Sequence, residues 1–327
     1  MPETLDQQLT KYLTDAHSIE VQALQQLRTA PKLAGDEQLA SAFARHYDET
    51  LVHERRVRER LEARDAAPSK VKDVAGRVGG IGMLLFARVQ PDTPGKLVAH
   101  AYSYEHMELA TYDLLGLVAT RAGDDETAAV AESIRAEEGA MADRLGDSFD
   151  RAVEASLAKV WKDEDLAEHL IDYLADVHAI EGQSIELLDK GARITGDSDL
   201  AKAFTDHLDE TRSQRSAIAA RLEAHEASPS RFKDAAMRVG GLNLGAFFGA
   251  QPDTPAKLAG FAFAFEHLEV AAYEELMRVA ARAGDDETAR IAGRIAGEER
   301  AAAAAVRAQF PSAVDATLEA QRVAPRH

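Results

Sequence analysis

Long-range repetition constrains this chain more than any other feature. "LTKYLTDAHSIEVQAL" (9–24) returns as "LIDYLADVHAIEGQSI" (170–185), and "FARHYDET" (43–50) as "FTDHLDET" (204–211). "QPDTPGKL" (90–97) returns as "QPDTPAKL" (251–258), and "RAGDDETA" (121–128) recurs unchanged at 282–289. All four pairs keep one offset of 161 residues, so no gap intervenes over most of either half. Solenoid repeats are about 20 to 50 residues long, so a period this long, present twice, marks a duplicated domain. The expected domains are 1–155 and 156–327.

Each copy carries the pattern of four long helices. Aromatic residues make up only 6% of the chain and Gly and Pro are sparse, which favours helix over sheet. The first helix is expected from about Glu3 to Arg28 and the second from Glu37 to Arg64. The third starts at "PDTP", where Asp92 or Thr93 caps and Pro94 suits the first turn, and it ends before Gly123. The fourth runs from Asp124 or Asp125 to about Leu145, and "VEASLAKVWKDED" (153–165) then joins the copies. The first and third loops are short; residues 65–92, with the apolar "GGIGMLLFARV", form a long connection between helices two and three. That connectivity is an all-α fold of two tandem four-helix bundles, each with one long crossover.

The apolar stripes are interrupted by acid. Helix one gives Leu9, Leu13, Ala16, then Glu20, then Leu24 and Leu27. Helix three gives Leu97, Ala101, then Glu105 and Glu108, then Tyr112, Leu115 and Ala119. Helix four gives Val130, Ile134, then Glu137, then Met141 and Leu145. On helix two, Leu39, Phe43 and His46 lead to a stretch where Glu49, Thr50 and His53 compete for the inner face before Val57. An isolated buried carboxylate is costly and takes up a proton, and several together repel one another. A pair of cations resolves both problems, and the i, i+3 spacing of Glu105 and Glu108 lets one helix face serve two metals. The candidate metal ligands are therefore Glu20, His46, Glu49, Glu105, Glu108 and Glu137. Their repeats are Glu181, His207, Glu210, Glu266, Glu269 and Glu298. His53 becomes Gln214 in the second copy, and His17 and His178 stay outside the set. Tyr112 and Tyr273 fall on inner positions near the acids.

Several classes are excluded. The formal charge of −18 offers no basic face for nucleic acid. Cysteine is absent, which removes disulfides, thiolate metal sites and cysteine catalysis. No apolar stretch approaches the roughly 20 residues needed to span a bilayer. The expected location is the cytoplasm, with no membrane partner.

"DAHSIE", "HYDET", "YEHMELATY" and "EEGAMA", in this order, cover nearly all of each half. In these residues the chain resembles the ferritin-like superfamily, and within it the YciE/YciF-type bacterial stress-protein family, with two copies fused in tandem. The resemblance implies a ferritin-like bundle in which Glu20, Glu49, Glu105, Glu108 and Glu137 are di-iron ligands. Ferritin-like oxidases usually carry Glu-x-x-His on helices two and four, whereas here Val52, Ser213, Ala140 and Ala301 occupy the histidine positions. The expected function is a di-metal carboxylate protein, holding two irons (or manganese ions) per bundle. It would oxidise ferrous iron or react with oxygen or peroxide in stress defence. The alternative is a non-catalytic stress-response protein whose metal is structural or vestigial and which acts by binding a partner. The two copies are expected to pair as an intramolecular pseudo-dimer, with further homo-oligomerisation open.

Overall fold

The computed structural model describes residues 4–68, 93–158, 163–228 and 254–322. They are helical throughout, with no strand among the described residues. They form two compact units that divide after Ala158. The first contains α1 (Leu5–Leu27), α2 (Ala30–Leu33), α3 (Glu37–Glu62), α4 (Thr93–Ala122), α5 (Asp125–Gly146) and α6 (Phe149–Leu157). The second contains α7 (Asp163–Ile194), α8 (Ser198–Ala224), α9 (Thr254–Arg282), α10 (Asp286–Ala308) and α11 (Phe310–Ala320). The expected crossover falls largely on 69–92, outside the described residues.

Local chemistry sets the helix ends. Thr4 and Gln7 form a reciprocal capping box at the start of α1. Asp36 caps α3 through the backbone N–H groups of Gln38 and Leu39, both at 2.9 Å. Asp124 starts α5, accepting from the Thr127 N–H at 2.9 Å and its hydroxyl at 2.8 Å. Arg60 and Arg64 at the far end of α3 reach the same carboxylate, at 3.0 and 2.7 Å. One aspartate thus ties two helix ends together. Gly123, at φ 67, supplies the left-handed turn that stops α4.

The copies differ where a proline intervenes. A proline in a helix interior removes a backbone donor and clashes with the preceding turn. α1 accordingly stops at Leu27, and Pro31 sits in the first turn of the short α2. The second unit has Ala192 at this position, and α7 runs on to Ile194.

Within the first unit α1, α3, α4 and α5 surround one core, and α7, α8, α9 and α10 do so in the second. Segments read from sequence as the end of one copy are helical: α6 buries Phe149, Ala152 and Val153 and packs on α4. Ser156 of α6 accepts the Gly95 N–H at 2.8 Å, satisfying an orphan donor at the start of α4. In the second unit Thr317 does the same for Ala256 at 3.0 Å. The core is apolar on both sides of a polar middle: Leu13 and Leu27 flank Glu20, Phe43 and Val57 flank the α3 histidines, and Ile134 and Leu145 flank the α5 acid. Apolar side chains of the same helices therefore bound the buried carboxylates above and below.

Candidate metal centre

α3 supplies two imidazoles to the first unit's interior. His46 and His53 lie two turns apart on one stripe, both fully buried, with ring centroids 6.5 Å apart. The inner nitrogen of His46, Nε2, faces Glu105 at 3.1 Å and Glu138 at 3.3 Å. The inner nitrogen of His53, Nδ1, faces Glu138 at 2.7 Å and Glu20 at 4.0 Å. Glu138 thus presents Oε2 to one histidine and Oε1 to the other. Two donor groups result, His46 with Glu105, Glu108 and Glu138, and His53 with Glu20 and Glu138. They share the Glu138 carboxylate. Glu108 is fully buried, and neither of its oxygens has a hydrogen-bond partner.

Around this centre the remaining polar atoms are occupied. The outer nitrogen of His46 meets Glu49 at 3.1 Å, and that of His53 meets Glu137 at 3.0 Å. The Tyr112 hydroxyl donates to Glu20 Oε1. A carboxylate on the outer nitrogen of an imidazole fixes its tautomer and turns its lone pair inward, as in histidine metal sites generally.

The second unit keeps three members of one donor group, His207, Glu266 and Glu299. His207 Nε2 lies 3.1 Å from both Glu266 and Glu299, and its outer nitrogen lies 3.1 Å from Glu210. Gln214 stands where the first unit has His53. Its nitrogen donates to Glu298 at 3.1 Å, leaving Oε1 buried and without a partner. Tyr273 donates to Glu181, and Ser184 donates to Glu269 at 3.0 Å.

Residues 4–158 and 165–319 each match the family model described as "Domain of unknown function (DUF892)". The chain belongs to the DUF892 family. No solved structure matches it. Each DUF892 segment spans one complete acid cluster and the short helix after it, so α6 and α11 are parts of the repeated unit rather than linkers.

Of the residues that sequence points to in the first DUF892 unit, the structure brings Glu20, His46, Glu105 and Glu108 together. Glu49 and Glu137 stand outside as histidine partners, with side chains 41% and 43% exposed. In the second unit His207 and Glu266 converge, and Glu181 and Glu269 are buried with them. Glu210 and Glu298 are 63% and 36% exposed and form the outer contacts. Sequence reasoning did not select Glu138 or Glu299 and left the role of His53 open; all three lie in the buried clusters. On α5 the buried positions run Thr127, Ala131, Ile134, Glu138, Met141 and Leu145, an alternation of four and three that passes through Glu138 and skips Glu137. The correction is a register shift of one residue, equal to about 100° around the helix. His17, left out of the set, pairs instead with Glu54 at 2.9 Å.

Burial dominates the electrostatics. It pushes Glu20 up to about 8, with the Glu138 charge adding to the effect, and pushes Glu105 up to about 7. Glu108 is raised by burial and then by the surrounding acids. Burial works against charge on the histidines, yet Glu105 carries His46 up to about 12, and Glu138 carries His53 up to about 9. Glu138 is held down, to about 2, because hydrogen bonds from His46 and His53 outweigh its burial.

Proposed function

We propose that each unit holds a carboxylate-rich metal centre of the ferritin-like kind, and that the first holds two divalent ions sharing Glu138. The observation that carries this reading is Glu108: a fully buried carboxylate with both oxygens unpartnered, beside three more acids, is costly unless a cation meets it. The donor set fits. Four carboxylates, Glu20, Glu105, Glu108 and Glu138, balance two divalent charges, and each position receives one neutral imidazole. Oxygen donors with one imidazole suit iron or manganese. In the second unit His207, Glu266, Glu299 and Glu269 hold the first ion, and Glu181, Glu299 and the Gln214 oxygen form a weaker second position.

When bound, a pair of redox-active ions supplies electrons to an oxidant, and this supports ferrous-iron oxidation or reaction with oxygen or peroxide as the activity. The chain's own part is to position and insulate. Glu49 and Glu137 aim the imidazoles, the Tyr112 hydroxyl fixes Glu20, and the leucine layers above and below exclude water. In the Glu138→Gln variant the first unit should lose both ions while the second stays loaded. Metal analysis after reconstitution measures this, and a variant retaining wild-type metal content removes the reading. Aerobic addition of ferrous iron then separates catalysis from a structural metal, through oxygen consumption.

A further inference from the structure

The first unit contains a small pocket that ends on Glu105 of the carboxylate cluster. It lies between α1, α2, α3 and α4, with Phe43 and Ala30 in its wall and Gln26, His100 and Tyr104 as its half-buried polar lining. The space open to the centres of water-sized molecules is ≈ 30 Å³. One water needs about 10 to 15 Å³ on this measure, so the pocket has room for roughly two heavy atoms. Burial and the nearby Lys96 pull His100 down to about 4, which keeps its ring neutral near pH 7.

The second unit builds the same region differently. At the constant offset, Gln26 becomes Leu187, His100 becomes Phe261 and Tyr104 becomes Phe265, while Glu266 is retained. The rings of Phe261 and Phe265 lie 6.2 Å apart, and Phe265 is buried. Ala30 becomes Gly191, into whose space the Phe204 ring moves: a methyl there would lie 2.8 Å from Phe204 Cε2. The same fold therefore stands with an apolar lining, so packing does not require the three polar side chains of the first unit. The Tyr104 hydroxyl donates to the Ile19 carbonyl at 3.0 Å, and the polar lining leaves space beside Glu105 where the second unit packs rings.

We propose that this pocket is the route by which an uncharged molecule of two heavy atoms, dioxygen or hydrogen peroxide, reaches the carboxylate cluster of the first unit, and that the second unit is closed along the equivalent route. The proposal rests on the metal reading for its readout only. Full-length protein is loaded anaerobically with ferrous iron and mixed with nitric oxide, a neutral diatomic, and the absorbance change on binding is followed. Failure to bind ferrous iron is seen before mixing and strikes the metal reading instead. With iron bound, a fast and a slow phase are expected. The variant Gln26→Leu/His100→Phe/Tyr104→Phe should slow the fast phase by about tenfold or more at unchanged iron content. A wild-type rate in that variant overturns the proposal. Should the variant lose its iron, the reverse change Leu187→Gln/Phe261→His/Phe265→Tyr decides: it should accelerate the slow phase, and no acceleration overturns the proposal. Repeating the mixing with dioxygen and with hydrogen peroxide identifies which oxidant meets the same block.

Discussion

Loading the interior with metal should expel several protons, and their number follows from the geometry. At pH 7 the metal-free first unit keeps a proton on Glu20, held at about 8, on His46 at about 12 and on His53 at about 9. Glu105, at about 7, adds part of one, and burial with three neighbouring acids raises Glu108 in the same sense. Glu138 is already ionised. Ligands bind metal deprotonated, so filling the first unit should release about three protons or more. The second unit, with His207 at about 11, Glu299 at about 7, Glu181 and Glu269 raised, but Gln214 in place of a histidine, should release fewer. The sign is fixed: lowering pH by one unit should cut the overall loading constant of the first unit by about three powers of ten or more. The metal-free fold responds in the opposite direction. Groups whose folded pKa lies above the unfolded value stabilise below the latter and lose that contribution as pH rises through the former. Metal-free stability should therefore decline from about pH 4.5, where Glu20 begins to lose its contribution, to about 12, where His46 loses the last of its own, and metal should restore it. Calorimetric titration in buffers of different ionisation enthalpy counts the protons. Release of one proton or fewer per fully loaded chain would refute the assignment of these acids as ligands.

Three further outcomes are expected. Glu137→Ala should keep the fold and both metal positions but free the His53 ring, lowering affinity at the Glu20–His53–Glu138 position by about tenfold or more; an unchanged metal titration would show that the outer carboxylate orients nothing. Gln214→His should tighten the weaker ion of the second unit, measured by competition with a chelator, and no change would mean that Gln214 does not face a metal. Asp124→Ala should destabilise the first unit by about 1 to 2 kcal/mol in urea unfolding at pH 7. Burial raises the Asp124 carboxyl, but Thr127 and Arg60 overcome this and hold it below its usual value. The wild-type advantage should therefore be present above about pH 4 and vanish in acid.

The duplication, the helices and the acid-bearing middle of each bundle were legible because they repeat, and because a glutamate among leucines at helical spacing has few explanations. The choice between Glu137 and Glu138 was not. Adjacent residues differ by about 100° around the axis, and a stripe started at Val130 passes through one while a stripe started at Ala131 passes through the other. Both acids interact with His53, so the chemistry was sensed one residue out of register. His53 was passed over because the second copy replaces it, yet its spacing of seven from His46 put both on the buried face of α3. Residues 153–165 were taken as the join between copies, so the helix at Phe149–Leu157 was not anticipated, although Phe149, Ala152, Val153 and Ser156 mark one buried side.

A symmetric assembly of identical subunits must express every substitution in all of its copies at once. Writing both bundles into one chain removes that restriction. A difference such as His53 against Gln214, or Gln26, His100 and Tyr104 against Leu187, Phe261 and Phe265, appears once per molecule, each bundle keeping its own complement. Each half can then explore variants that would abolish function if forced on both. The tandem arrangement thereby converts a redundant pair into a protected template and a free experiment, inherited together and always present in equal amount.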